Sequence, residues 1–304
     1  MSLLTDRDLT HFRENGYAVI EDVVGAAKCE AVVEDMYWFT GREPDDPETW
    51  YEPPDGLDEH FSSVGGLEMY HTQSLWDTRQ DETLYQAFAE VLDEEALWVS
   101  IDRVNMTPPA NEDHPEIDNA LRMHWDTDIS ALPERVVQSW GTEQIPWGVQ
   151  GVLHLADTAP NQGGFTCYPG VYRDLTELAA NCDGELTVDD IDLDAYEQIN
   201  VGANQGDLLI WDRLLLHGNG RNRSATPRLA QYVLMAPERF ADAETRHDRI
   251  ATWRDQEAIA TPGDGDPRNR EKERPPATLT PLGRKLLGID PWHGWSTTAG
   301  PASD

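Results

Sequence analysis

Three features of this sequence combine residue types that could hold a metal ion and a carboxylate ligand. The first is Arg122-Met-His-Trp-Asp-Thr-Asp128. On a strand, positions two apart share a face, so His124 and Asp126 project together while Trp125 points the other way. One imidazole nitrogen and one carboxylate oxygen then meet the same cation. A His-x-Asp pair alone is common on surfaces and core edges. The second feature lies 91 residues beyond Asp126, where the apolar run Leu208 to Leu216 gives way to a glycine-rich turn at His217. A lone histidine there reads as a satisfied core residue. Joined to the pair, it becomes the third member of a two-His, one-carboxylate facial set that leaves three positions of an octahedral Fe(II) open. The third is Arg228, which opens the apolar stretch Leu229 to Met235. Its guanidinium either grips a carboxylate through two parallel bonds or pairs with one of the chain's many acids. Taken jointly, the ordered set favours a site over four separate structural explanations.

The elements that must position these residues are readable in part. Thr5 with Asp8 three residues later predicts a capped helix carrying Leu9 and Phe12 and stopped by Gly16. A strand follows over Tyr17 to Val24, then a helix over Ala26 to Phe39 with Cys29, Val32, Val33, Met36 and Phe39 on one face. Another helix is expected over Thr83 to Leu97. From Leu97 the pattern changes to short strands: Leu97 to Met106, Arg122 to Asp126, Trp147 to Ala156, Gly164 to Tyr168, Leu208 to Trp211 and Arg228 to Met235. Helices first and strands afterwards argue against a doubly wound parallel sheet and for an α+β, mainly β, sandwich or jelly roll with helices packed on it. Leu175 to Asp194 reads as a long acidic insertion, and its acids lack the spacing of a calcium loop. Thr261 to Thr278, rich in Pro, Gly and charge, reads as an irregular loop. A short helix follows, with Thr280 as cap, Pro281 in the first turn and Gly288 as stop. The expected division is a domain over 1–240 and a polar C-terminal extension over 241–304.

Composition narrows the partners. The 304 residues include 57 Asp or Glu against 23 Lys or Arg, a formal net charge of -34, and only three of the cations are lysines, Lys28, Lys272 and Lys285. Such acidity opposes binding to nucleic acid or an anionic membrane. It suits a halophilic cytoplasm, where dense carboxylates hold water and salt screens their repulsion. Cys29, Cys167 and Cys182 are odd in number and scattered, so neither a disulfide framework nor a thiolate metal site is expected. No apolar stretch approaches the ~18 residues of a membrane span, and the chain is expected to be soluble and unexported.

The order His124-x-Asp126, then Asp157, Gly163-Gly164, Pro169-Gly170, Gly206-Asp207, His217-Gly218 and Arg228, resembles the phytanoyl-CoA dioxygenase family of Fe(II)- and 2-oxoglutarate-dependent oxygenases. The opening Leu4 to Tyr17 is similar to that family's first helix and strand, and the likeness runs to about Pro237. It implies a double-stranded β-helix (jelly-roll, cupin-like) core. It also implies iron held by His124, Asp126 and His217, and the distal carboxylate of 2-oxoglutarate held by Arg228. The strand Ser100 to Asn105 looks like the segment preceding the metal motif in the family's ectoine hydroxylases, which makes Asn105 a further cosubstrate candidate; a strand-end amide bonded to backbone is the alternative. Two positions depart from the family pattern. Val171-Tyr172 stands where Ser-His commonly follows the Pro-Gly pair, and Asn219 stands where many members carry Ser, still offering a donor toward the cosubstrate. His154, Trp125, Trp140, Trp147 and Trp211 read as core or wall residues.

The expected function is therefore a non-haem dioxygenase that hydroxylates a small molecule with O2 and releases succinate and CO2. A cupin-type metal-dependent isomerase or lyase would need no Arg228. A non-catalytic jelly-roll binding protein would usually have lost one of the three metal ligands.

Overall fold

The computed structural model describes residues 2–51, 65–115, 122–126, 149–182, 186–240, 242–258 and 266–293. Helix α1 (Asp6–Asn15) begins at the reciprocal Thr5–Asp8 capping box and ends where Gly16 takes a left-handed conformation, φ 77°. Strand β1 (Tyr17–Ile20) follows, shorter than its apolar run, and then α2 (Ala26–Thr40), which buries Cys29, Val32, Met36 and Phe39. After β2 (Gly66–Leu67) come α3 (Gln73–Arg79) and α4 (Glu82–Leu92). Asp93 stops α4 in the left-handed conformation, so Leu97 belongs to a strand and not to the helix expected to reach it.

The remaining strands are β3 (Leu97–Val99), β4 (Val104–Thr107), β5 (Val149–His154), β6 (Phe165–Cys167), β7 (Ile199–Asn200), β8 (Leu208–Asp212), β9 (His217–Asn219) and β10 (Arg228–Pro237). Every pairing among them is antiparallel. One sheet runs in the order β1-β8-β5-β10-β4-β2, with β3 also paired to the far end of β10. A smaller one runs β7-β6-β9. The molecule is thus a mixed, sheet-rich fold. Its largest core joins α2 and α4 to the larger sheet through residues such as Met36, Phe88, Leu153, Ile210 and Val233. Among the described residues no helix is long and apolar enough to cross a membrane.

Two further expectations, the strand at Arg122 to Asp126 and the loop at Thr261 to Thr278, are corrected. Arg122 to Asp126 forms an isolated bridge, His124 with His217, and not a strand. The acidic stretch that begins at Leu175 starts inside a helix, α5 (Pro169–Asn181), which is followed by two short 3-10 turns. The segment expected as a loop around 261–278 contains a 3-10 helix, Pro267–Glu273, whose Arg268 and Glu271 are buried. Beyond β10 lie α6 (Ala243–Asp255) and α7 (Pro281–Leu287). Thr280 caps α7 and Gly288 ends it, while Leu286 and Leu287 join the main core beside Leu97 and Val99. Trp140 and Trp147 lie outside the described residues.

Candidate active site

The backbone bridge between His124 and His217 builds the centre of the site. His124 N donates to His217 O (2.9 Å) and His217 N to His124 O (3.1 Å), which fastens the first motif to the outer edge of β9. Gly218 permits this approach, since a Cβ there would stand 2.7 Å from Arg122 O. Alternation survives without a strand ladder. Met123 and Trp125 pack on the apolar cluster around α5, while His124 and Asp126 face the other way, into a cavity.

His124, Asp126 and His217 each offer one ligand atom, and these atoms lie within 4.8 Å of one another. His217 Nε2 is 3.1 Å from Asp126 Oδ2, and His124 Nε2 is 3.6 Å from Asp126 Oδ1. Both imidazoles are held from behind, His124 Nδ1 by Arg122 O (2.9 Å) and His217 Nδ1 by Leu215 O (2.8 Å). A proton on each Nδ1 leaves both Nε2 lone pairs directed at the space before the carboxylate, as a metal ligand requires. Phe165 stacks on the His217 ring at 5.0 Å, and Trp211 Nε1 donates to Asp126 Oδ2 (3.2 Å). Burial alone would raise the Asp126 pKa, but hydrogen bonding to His124, His217 and Trp211 holds the carboxyl well below its usual range. The hydrogen bond to Asp126 in turn raises His124. Two nitrogens and one anionic oxygen, on one side of a common point, fit a divalent cation of the Fe(II) type.

The cavity beside this cluster has a volume of about 280 Å³, and Arg228, Asn105 and Asn219 lie on its wall. Arg228 is 1% exposed. Its Nη1 donates to Asn105 Oδ1 (3.2 Å) and to Asn219 Oδ1 (3.4 Å), so the two amides named from the sequence orient the guanidinium. Among the described residues no carboxylate is paired with Arg228, and its Nε has no hydrogen-bond partner. A buried cation left in this state fits an anionic ligand. The structure therefore brings together all six residues proposed from the sequence. Gln150, Val152, Tyr232 and Leu234, which sequence reasoning missed, also line the cavity. The pairing of β5 with β10 places Val152 opposite Tyr232 and Gln150 opposite Leu234. Only the strand register could have marked them.

Residues 12–230 match the phytanoyl-CoA dioxygenase (PhyH) family, more than two thirds of the chain. The chain belongs to the phytanoyl-CoA dioxygenase family. Fe(II) and 2-oxoglutarate are accordingly its cofactors, in keeping with the His-Asp-His cluster. A relative from Dictyostelium discoideum described as a putative phytanoyl-CoA dioxygenase is 22% identical over 258 residues, which span 74% of each chain. Among solved structures, GlcNAc Inducible Gene 2 (GIG2) of Candida albicans superposes with a TM-score of 0.70 at 12% identity, over 98% of this chain and 79% of that one. The nogalamycin-biosynthesis epimerase SnoN, in complex with Fe3+ and alpha ketoglutarate, superposes at a TM-score of 0.53 with 14% identity, over 90% of this chain and 95% of that one. At these identities the two structures speak for a shared fold within which the phytanoyl-CoA dioxygenase motifs are set.

Proposed function

We propose that this protein is a hydroxylase: an Fe(II)- and 2-oxoglutarate-dependent dioxygenase that acts on a small molecule and releases succinate and CO2. The two antiparallel sheets would be the halves of a double-stranded β-helix. The observation that carries the reading is the arrangement of His124, Asp126 and His217 around one point, beside a buried Arg228 that has no carboxylate partner among the described residues.

In this reading His124, His217 and Asp126 would hold the iron through the imidazole Nε2 atoms and the carboxylate. The backbone carbonyls of Arg122 and Leu215 keep the two imidazoles in the ligating tautomer, and Trp211 fixes the carboxylate that joins them. Arg228 holds the distal carboxylate of 2-oxoglutarate while Asn105 and Asn219 keep its fork from rotating. Bound there, iron with 2-oxoglutarate would supply the O2-derived oxidising power for attack on a substrate C–H bond. Phe165, Val152 and Tyr232 supply the apolar wall that limits water around it. An arginine in this place favours a keto-acid-dependent enzyme over a metal-dependent lyase. The complete ligand set opposes a binding-only role. The acidic, lysine-poor composition supports a saline cytoplasm as the working environment.

Addition of 2-oxoglutarate to the anaerobic Fe(II) protein should produce the visible charge-transfer band of a chelated keto acid. A folded, iron-loaded protein without that band would overturn the dioxygenase reading. Succinate release across a panel of small molecules, with product analysis, separates hydroxylation from epimerisation.

A further inference from the structure

His154, the last residue of β5, is fully buried, and neither ring nitrogen has a hydrogen-bond partner among the described residues. A buried imidazole with neither nitrogen paired costs stability, so its presence asks for a ligand. Strand register shows where the side chain points. On β5, Gln150 and Val152 line the cavity, and His154 is the next residue on that face. Across the ladder His154 pairs with Ala230, and Ala230 pairs on its other side with Asn105. Asn105, Ala230 and His154 thus form one row across three strands, all facing inward, with Arg228 one step along β10 on the same face. Ala230 ends at its Cβ, so no β10 side chain stands between the amide and the imidazole. Arg228 Nε likewise has no hydrogen-bond partner among the described residues, and the guanidinium is near enough for its charge to act on the imidazole.

We propose that His154 is a cosubstrate-binding residue: its imidazole N–H donates to the distal carboxylate of 2-oxoglutarate alongside Arg228. This rests on the dioxygenase reading above and adds to it a residue that determines which 2-oxo acid is accepted. Burial and the neighbouring Arg228 charge push the His154 pKa down to about 3, so the ring is neutral and keeps one N–H for donation. A neutral donor satisfies a second carboxylate oxygen without placing another cation against the guanidinium. A 2-oxo acid with the same chelating head and no distal carboxylate has no use for this contact.

The test compares anaerobic titrations of the Fe(II) protein with 2-oxoglutarate and with 2-oxopentanoate, read by the charge-transfer band. In His154→Leu, 2-oxoglutarate binding should weaken by about 10- to 100-fold, the range for a hydrogen bond to a charged group, while 2-oxopentanoate binding is unchanged. His154→Gln keeps a donor and should recover part of the loss. Equal affinity of His154→Leu and wild type for 2-oxoglutarate overturns the assignment, as does an equal loss for both acids, which marks a structural role. Wild type that binds iron but neither acid overturns the dioxygenase reading and the assignment together. Should His154→Leu not fold, wild-type Zn(II) protein labelled with 15N-histidine provides the readout. A protected imidazole N–H signal should appear with 2-oxoglutarate and not with 2-oxopentanoate, and its absence with both refutes the contact.

Discussion

Asp126 and Arg228 are expected to divide the work of the site. Asp126→Ala leaves two imidazoles facing each other without the anion between them, so iron should be lost on anaerobic dialysis and turnover with it. Arg228→Ala should leave the iron content intact and weaken 2-oxoglutarate, since the guanidinium lines the same cavity but is not one of the three metal-ligating side chains. Removing one partner of a charge-assisted contact costs ~2–5 kcal/mol, at least a tenfold fall in affinity. Metal analysis and a cosubstrate titration on both variants check the division; unchanged affinity in Arg228→Ala would mean that another cation holds the carboxylate. These residues stood out in the sequence because few side chains can do what they do, and because alternation put them on one face. Tyr232 and Gln150 did not stand out. They are ordinary strand residues until β5 and β10 pair in one register, and Trp211 reads as core until its indole N–H is found on Asp126.

At the scale of elements, local signals told the truth where the chemistry is local. The Thr5 and Thr280 caps and the Gly16 and Gly288 stops lie where the sequence put them, because a cap is satisfied within one turn. Elements fixed by distant partners were harder to read. The bridge at His124 has its partner at His217, and the 3-10 helix Pro267–Glu273 exists through contacts 200 residues away. There Glu271 accepts from Tyr70 N and His71 N, the latter at 2.6 Å, and so clamps the segment between β2 and α3. Burial raises this carboxyl from 4.5 to about 7. A group raised in the folded state contributes stability in full below its ordinary value, and that contribution is lost as pH climbs through about 7. Glu271→Gln carries no titrating proton. The melting temperature of the variant minus that of wild type should therefore grow between about pH 5 and about pH 8, by the equivalent of roughly 3 kcal/mol at most. A difference that stays flat with pH would show that the Glu271 carboxyl does not change its charge there.

For the whole molecule the dominant quantity is its charge of -34. In dilute buffer the folded state repels itself, and the expanded chain relieves that repulsion. Salt shortens the screening length from ~10 Å at 0.1 M to ~3 Å at 1 M. The melting temperature should rise as KCl goes from the dilute to the molar range, measured with the metal content held fixed because bound iron stabilises the fold independently. A flat or falling curve would remove the case for a saline setting and leave the active site untouched. Charge and sheet content were legible from composition and alternation. The strand order was not, since neighbours in the larger sheet come from opposite ends of the sequence.

That strand order bears on how the chain is made. Strand β1, residues 17–20, has its ladder partner at 208–212, so it leaves the ribosome with nothing to pair with. At ~5–20 residues per second, nearly 190 more residues of synthesis take roughly 10–40 s. Throughout that interval the nascent chain exposes Ala18 and Ile20, both buried at maturity, and the helices around them must shelter the strand or hand it to a chaperone.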